Sequence, residues 1–415
     1  MTSRISGFHK LDQKERLRTL SLSERAAQQL SATGVSFGEL AEHMVENAIG
    51  TMPIPLGVAT NVRVDGEDVL VPMATEESSV VAAVCNSARQ CYEADGVTTE
   101  ATDPLMIAQI QILDLQDPFV AKSGVLAKKR EIKALCDELD PILVKLGGGL
   151  EDVEARVIDS DRGAMLVVHI VVNVLDAMGA NAVNTMAEAL APKLAAWTGG
   201  RTLLRILSNL ADKRLVKATV CFDPQAIGGD EVRERILDAA EFAWVDPYRA
   251  ATHNKGIMNG ISAVALATGN DTRALESGAH AFAARDGQYR ALSRWHAGES
   301  GSLVGTLELP MAVGIVGGAT KAHPIAQANL EIMKIETADR LARVIAAVGL
   351  LQNFGALKAL ATVGIQKGHM ALHARNVAIA AGAEGNEIDL VADYLVSEGK
   401  VRQDIAETKL NELRA

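Results

Sequence analysis

Apolar positions dominate Val58 to Val64 and Val69 to Met73, and the polar Asp65-Gly66 lies between them. Strand-like runs around a tight-turn dipeptide predict a β-hairpin over 57–74. A helix is predicted from Val80 to Glu93. Upstream, residues 10–50 read as short helices. Ser21 with Glu24 and Ser36 with Glu39 have capping-box spacing, and Gly34 and Gly50 are suited to helix ends. From Pro104 the rhythm changes. Leu105 to Leu115 is strand-like, and Ile132, Leu135, Cys136 and Leu139 recur at helical spacing within Lys128 to Leu139. After Gly147-Gly148-Gly149, residues 150–158 and 164–175 read as strands around the turn at 159–163. A helix from about Asn181 ends at Gly199-Gly200, with Pro192 kinking or splitting it. This strand–helix–strand–strand–helix series predicts a small α+β sandwich at 104–208, inserted into a larger mixed domain of 1–103 and 209–365. In the larger domain 214–222 is strand-like and 230–244 helical. A strand follows from Thr306 to Ile315, then a helix near Pro324, and an Ala-rich helix pair over 336–363 suited to a core or a subunit interface. Glycines at 364, 368, 382, 385 and 399 divide the tail into short helices, so 366–415 could be a mobile lid or an ordinary packed helical tail.

One polar stretch interrupts two apolar ones. Between Ile236–Trp244 and Ile261–Ala267, the eleven positions 249–259 hold Arg249, Thr252, His253, Asn254, Lys255 and Asn259. Pro247 before it and Gly256 and Gly260 within it punctuate it as a loop. A cation-rich loop between buried segments suits an anion and can polarise a carbonyl, although a solvated surface loop would have the same composition.

Composition narrows the partners. At 415 residues, with 48% hydrophobic side chains, two or three domains are expected. Net charge is −11 with no long Lys/Arg run, and aromatics are 3%, which argues against nucleic acid and anionic membranes as general partners. An anionic ligand would therefore need local positive charge. Cys85, Cys91, Cys136 and Cys221 form no Cys-x-x-Cys pair and read as free thiols of a reducing compartment. Residues 1–20 have no apolar signal core, and the apolar run 164–175 is short and carries His169 and Asn173, so a cytoplasmic protein without a membrane span is expected.

Asp176, Met178, Gly179, Asn181 and Asn184 lie between a strand and a helix. Gly179 permits close backbone approach, and a helix start presents free N–H groups to a pyrophosphate. A tight capped turn would use the same residues. The spacing is not Gly-x-Gly-x-x-Gly, so a Rossmann site is unsupported. Glu76 and Glu77 precede a helix, where acids also simply complement the dipole. His369 and His373 share a helix face, but the Glu of His-Glu-x-x-His is absent and no third ligand suggests itself, so no metal is expected.

Seven strings together resemble the hydroxymethylglutaryl-CoA (HMG-CoA) reductases of the soluble bacterial type, class II. They are Glu46-Asn47-Ala48-Ile49-Gly50, Glu76-Glu77-Ser78-Ser79, Asp176 to Asn181, Asp246 to Gly260, Gly269-Asn270-Asp271, Val316 to Thr320 and Gly368-His369-Met370, in family order across nearly the whole chain. The resemblance implies an α+β fold. A large domain would bind HMG-CoA and form a homodimer with the active site at the interface. The inserted domain, ferredoxin-like rather than Rossmann, would bind the nicotinamide cofactor, and the tail would close as a flap. Lys255 matches the catalytic lysine, Asp271 the aspartate beside it, Glu77 the catalytic glutamate and His369 the flap histidine. Ser79, Arg249 and Asn259 match substrate-carboxylate contacts, as do Thr252 and Asn209. Asp140 matches an acidic position facing the adenosine ribose, which favours NAD(H), NADP(H) being the other option. Ser78 stands where the family pattern has proline, which leaves the turn carrying Ser79 less restrained.

The implied chemistry reduces a thioester to an alcohol by two hydride transfers through mevaldehyde. Lys255 would stabilise the hemithioacetal oxyanion, with Asp271 holding the lysine in place. Glu77 would deliver a proton to the mevaldehyde oxygen, and His369 to the departing CoA thiolate. The ligands are then HMG-CoA, mevalonate and CoA, in either the mevalonate-forming or the mevalonate-degrading direction. Two other readings compete: another CoA-thioester enzyme such as an acyltransferase, or a non-catalytic CoA- or nucleotide-binding dimer. No cysteine sits in a motif resembling an activated nucleophile, and the complete set of charged residues argues against a mere sensor.

Overall fold

The computed structural model describes every residue except 1, 2, 6, 12, 21, 32–43, 45, 48–50, 363 and 415. At 9, 13–14, 29–31, 319 and 365–372 it describes the backbone alone. The expected caps at Ser21, Ser36 and Glu39, the stops at Gly34 and Gly50, and the Ala48–Gly50 string lie outside the described residues.

Two short helices, α1 (Gln13–Thr19) and α2 (Glu24–Ser31), precede the hairpin of β1 (Leu56–Val64) and β2 (Glu67–Ala74). Val62, Val64, Val71 and Met73 are fully buried on its inner face. Helix α3 (Val80–Cys91) covers β1, and β3 (Val97–Ala101) runs parallel to β1 from the Val64–Val97 pair. The chain then leaves this sheet. Strand β4 (Leu105–Leu113) is followed by α4 (Pro118–Leu126), α5 (Lys129–Leu139), α6 (Pro141–Lys145), β5 (Gly149–Ile158), β6 (Met165–Asn173), α7 (Ala180–Thr198) and β7 (Arg201–Leu207). These four strands form an antiparallel sheet in the order β5-β6-β4-β7. With helices after the first and third strands, this is the β-α-β-β-α-β arrangement called ferredoxin-like. The sequence reading stopped one strand short. The exposed Leu203, Leu204 and Ile206 on edge strand β7 give it no buried alternation to detect. Nor does Pro192 split α7, which is continuous through it. Val183, Met186, Leu190 and Leu194 are buried against the sheet, and packing of four such side chains, roughly 1.5–3 kcal/mol each, outweighs an interior proline costing about 3 kcal/mol.

Strand β8 (Leu215–Phe222) returns to the first sheet beside β3. After it come α8 (Pro224–Ile227), α9 (Asp230–Val245), α10 (Pro247–Ala267), α11 (Thr272–Ala283), β9 (Ser293–Ala297) and β10 (Leu303–Pro310). This sheet has the order β2-β1-β3-β8-β10-β9. The expected strand at Thr306–Ile315 thus starts earlier and ends at Pro310, which cannot extend the ladder. Helices α12 (Gly318–Ala322) and α13 (Pro324–Met333) lead to α14 (Ala338–Ala361), one 24-residue helix where a pair was expected. Among the described residues α14 alone is long and apolar enough to cross a membrane, yet two-thirds of its most apolar window is buried in the protein. Leu341, Ile345, Val348, Leu351 and Phe354 are fully enclosed in the core of the larger sheet. The smaller sheet and α4, α5 and α7 enclose a second core, and α15 (Ile365–Ala380), α16 (Asn386–Ser397) and α17 (Gln403–Arg414) a third. The chain is α+β.

Candidate active site

The polar string at 246–260 is the first half of helix α10, not a loop. Asp246 caps it, accepting from the Arg249 N–H at 2.7 Å, and Pro247 takes the first helical position. The loop reading failed because buried positions 253 and 254 are polar and interrupt the apolar repeat. Both are held by specific partners, although His253 Nδ1 is buried without one among the described residues. His253 Nε2 lies 2.7 Å from Ser293 Oγ and accepts from Asn353 Nδ2 at 3.0 Å, while Asn353 Oδ1 accepts from Ser293 Oγ and Trp295 Nε1. Asn254 donates to Tyr289 Oη and the Arg290 carbonyl and accepts from the Leu292 N–H. Burial, reinforced by the Arg249 charge, pushes His253 down to about 3, so it is a neutral strut. Gly260 and Gly349 let α10 and α14 approach: a Cβ at 349 would come within 2.8 Å of Ile261.

Arg249, Thr252, Lys255 and Asn259, spaced by three, three and four, share the opposite stripe of α10. Strand β2 packs beside this helix, and the segment after it brings Glu77 over the stripe. Lys255 Nζ donates to Glu77 Oε2 at 2.7 Å, and Asn259 Nδ2 to Glu77 Oε1 at 3.3 Å. The pair stays open to a ligand, with the lysine side chain 61% exposed and the glutamate 41%. Arg249 is half-buried, and burial lowers its pKa. Its guanidinium makes no described ion pair with a carboxylate, so a partly desolvated cation stands ready for an anion. Ser79 starts α3 in a left-handed conformation (φ 75°), rare for a residue other than glycine.

Glu77, Lys255 and Asn259 are therefore brought together. Asp271 is not hydrogen-bonded to the lysine. Its Oδ1 caps α11, accepting from the Arg273 and Ala274 N–H groups, and Arg273 pairs with its other oxygen. The lysine's counter-ion in this structure is Glu77. Thr252 and Asn209 are exposed and make no described hydrogen bond to the trio. His369 lies inside α15, which begins at Ile365, so Gly368 is a helical position and only Gly364 (φ 79°) precedes the helix as a non-helical joint. The His369 side chain is outside the described residues.

The turn before α7 is held from several sides. Asp176 accepts from the Ala338 N–H at the start of α14 at 2.7 Å, and its carbonyl from the Ile315 N–H. Gly179 has φ 99°, and a Cβ there would stand 2.7 Å from Val174. It begins a 19-residue helix with no side-chain cap and no acid in the first turn. Its uncapped N–H groups and positive dipole end fit a pyrophosphate. Met178 and Asn181 flank this end, while Asn184 Oδ1 accepts from the Leu207 N–H at 2.7 Å, tying α7 to β7. Asp140 caps α6 through the Leu143 N–H at 3.0 Å. Sequence reasoning missed buried Arg214, whose three hydrogen bonds reach the carbonyls of Ala177, Met178 and Val313. A lone arginine before a strand carries no sequence signal.

A sequence profile of the hydroxymethylglutaryl-coenzyme A reductase family matches residues 12–374. The chain is 54% identical to the 3-hydroxy-3-methylglutaryl-coenzyme A reductase of Archaeoglobus fulgidus over all of this chain and 96% of that one. It is 35% identical to a probable reductase of the same name from Borreliella burgdorferi, over 86% and 82% of the two chains. The structure matches a Streptococcus pneumoniae reductase with a TM-score of 0.84 at 39% identity, covering 98% of this chain and 99% of the other. It also matches the class II enzyme of that organism bound to NADPH in open conformations, with a TM-score of 0.82 at 39% identity over 98% and 100%. The chain belongs to the hydroxymethylglutaryl-CoA reductase family.

Proposed function

We propose that this protein interconverts HMG-CoA with mevalonate and CoA through mevaldehyde, and that the Lys255–Glu77 pair, 2.7 Å apart on an open face, is its catalytic centre. Each of the two steps would draw its hydride from a separate reduced nicotinamide, or in reverse deliver it to a separate oxidised one. The chain's own residues have five tasks. Lys255 places a fixed ammonium where negative charge develops on the thioester oxygen, so the oxyanion meets a preorganised partner. Glu77, bonded to that ammonium, is within reach to pass a proton to the mevaldehyde oxygen. Arg249, with Asn259, Thr252, Ser79 and Asn209, receives the substrate carboxylate, and a half-buried guanidinium without a carboxylate partner supports that role. His369 protonates the CoA thiolate, and Asp271, one residue from the Asn270 that fixes the 311–315 segment, tunes the lysine's field on ligand closure.

The dinucleotide is assigned to residues 104–208, with its pyrophosphate at Gly179 and Asn181 and flanking contacts from Asp176, Met178 and Asn184. NAD(H) is the proposed cofactor. The Asp140 oxygen not engaged in capping α6 can accept from a ribose hydroxyl and would repel a 2′-phosphate. Residues 1–103 with 209–365 form the substrate and dimerisation domain, and 366–415 the closing flap. The acyltransferase alternative loses two of its four thiols, since burial pushes both Cys91 and Cys136 up to about 12, away from thiolate chemistry.

The test supplies mevalonate, CoA and NAD and follows absorbance of the reduced nicotinamide. CoA-dependent formation of reduced nicotinamide is expected, and its absence with either NAD or NADP ends this reading. Comparing kcat/KM for the two cofactors tests Asp140: an NADP preference, or equal values, sinks that assignment. Reduction of free mevaldehyde releases no thiolate, so His369→Gln should spare it while impairing the thioester step, with His373→Gln as the control.

A further inference from the structure

The segment at 311–315 is bonded on one side to the residue next to Asp271 and on the other to the turn before α7. On one side the Gly314 N–H donates to Asn270 Oδ1 at 2.8 Å, next to Asp271. On the other the Ile315 N–H donates to the Asp176 carbonyl at 3.0 Å. The backbones are so close that a Cβ at Gly314 would fall 2.4 Å from the Met178 nitrogen and 2.9 Å from the Ala177 carbonyl carbon. Arg214 closes this joint from beneath. It is 5% exposed, and its guanidinium donates to the carbonyls of Ala177 at 3.1 Å, Met178 at 3.4 Å and Val313 at 2.6 Å. Its own carbonyl accepts from the Met311 N–H at 2.9 Å, and its N–H donates to the Ala211 carbonyl. Among the described residues it forms no ion pair within 4 Å. A buried guanidinium spent on backbone carbonyls costs desolvation, which lowers its pKa to about 10 against the opposing pull of the Asp176 and Asp339 charges. Two of the carbonyls it gathers, those of Ala177 and Met178, belong to the turn that leads into α7, and the third, Val313, to the 311–315 segment.

We propose that Arg214 is a positioning residue for dinucleotide binding: by holding the Ala177, Met178 and Val313 carbonyls together it aims the uncapped amides of α7 and fixes their distance from the Lys255 centre. This rests on the reading of 176–184 as the dinucleotide turn. The guanidinium does not touch the ligand. It acts through the backbone, where planar, forked donors can engage several carbonyls at once and a lysine ammonium could replace only part of the set.

The experiment uses the full chain with Arg214→Met, Arg214→Lys and Gly314→Ala. Amide hydrogen exchange is first followed without ligand. Exchange over 174–184 should accelerate at least tenfold in Arg214→Met and in Gly314→Ala, less in Arg214→Lys, with the α14 core unchanged. Dissociation constants for NADH and for HMG-CoA are then measured by calorimetry. NADH binding should weaken tenfold or more in the first two variants, with partial rescue in Arg214→Lys, while HMG-CoA binding stays within twofold. Wild-type exchange over 174–184 in folded Arg214→Met overturns the strut, as does equal loss of both ligands. Faster exchange with unchanged NADH affinity overturns instead the reading of the turn as the dinucleotide site, and the role of Arg214 with it. Should Arg214→Met fail to fold, Arg214→Lys and Gly314→Ala decide by the same criteria.

Discussion

The Lys255 centre and the turn before α7 are built in opposite ways. The first is made of side chains: an exposed ammonium and an amide projecting from a helix whose other face is locked into the core, and an exposed carboxylate brought over them by the segment after β2. The second is made of backbone, with N–H groups at a helix start, glycines that allow close approach and a buried arginine clasping carbonyls. A side-chain site can be emptied by one substitution without disturbing its scaffold. A backbone site can be altered only through the residues that shape it, so its binding and its stability are inseparable.

The largest effect that sharpens this contrast is Lys255→Ala. Turnover should fall by about 10²–10³ or more, the range for losing an oxyanion partner, while the urea midpoint stays at the wild-type value. A folded variant with near-normal turnover would remove Lys255 from the chemistry. A large loss of stability would break the contrast from its other side. Gly179→Ala makes the reciprocal case. A φ of 99° and a Cβ position 2.7 Å from Val174 should cost roughly 1–3 kcal/mol in urea unfolding, with weakened NADH binding alongside. Binding lost at unchanged stability would show that the two are separable after all.

The smallest effect concerns the hidden face of α10. His253 is held neutral with its pKa near 3, below the ordinary value of 6.5, so the unfolded chain takes up a proton there first as pH falls. The stability this neutral histidine contributes is complete above pH 6.5 and is lost as pH drops toward 3. Between pH 6.5 and pH 5 the wild type should lose about 1.5 kcal/mol that His253→Asn does not. Parallel pH profiles in urea unfolding would rule out a buried neutral His253.

Legibility in the sequence followed this same division. Residues whose chemistry is displayed, such as Glu77, Lys255 and Asn259, could be named from their string, and the structure brings those three together. The helix carrying Lys255 and Asn259 was misread because His253 and Asn254 fill core positions with polar atoms and Gly256 and Gly260 imitate a loop. Only the tertiary partners Ser293, Asn353 and Tyr289 make that pattern helical. The inserted sheet was visible in three strands, since β4, β5 and β6 alternate against a core, whereas β7 leaves its leucines exposed. Arg214 and Gly314 were not legible at all. Their roles depend on carbonyls and a backbone nitrogen between 36 and 137 positions away, which no local spacing encodes.

The crossing of α10 and α14 sets a rule for anyone wishing to make this protein more robust. Replacing helical glycine with alanine commonly gains about 0.5–1 kcal/mol by restricting the unfolded chain. Gly124, in a short surface helix with nothing within 4 Å of its would-be Cβ, is open to that improvement. Gly349 and Gly260 are not. A methyl group at 349 meets Ile261 at 2.8 Å, and one at 260 meets Gln352 and the Val348 carbonyl at 3.0 and 3.1 Å. Either would wedge the two helices apart and tilt the Lys255 stripe away from Glu77, so these two glycines couple the stability of the core to the geometry of the proposed centre.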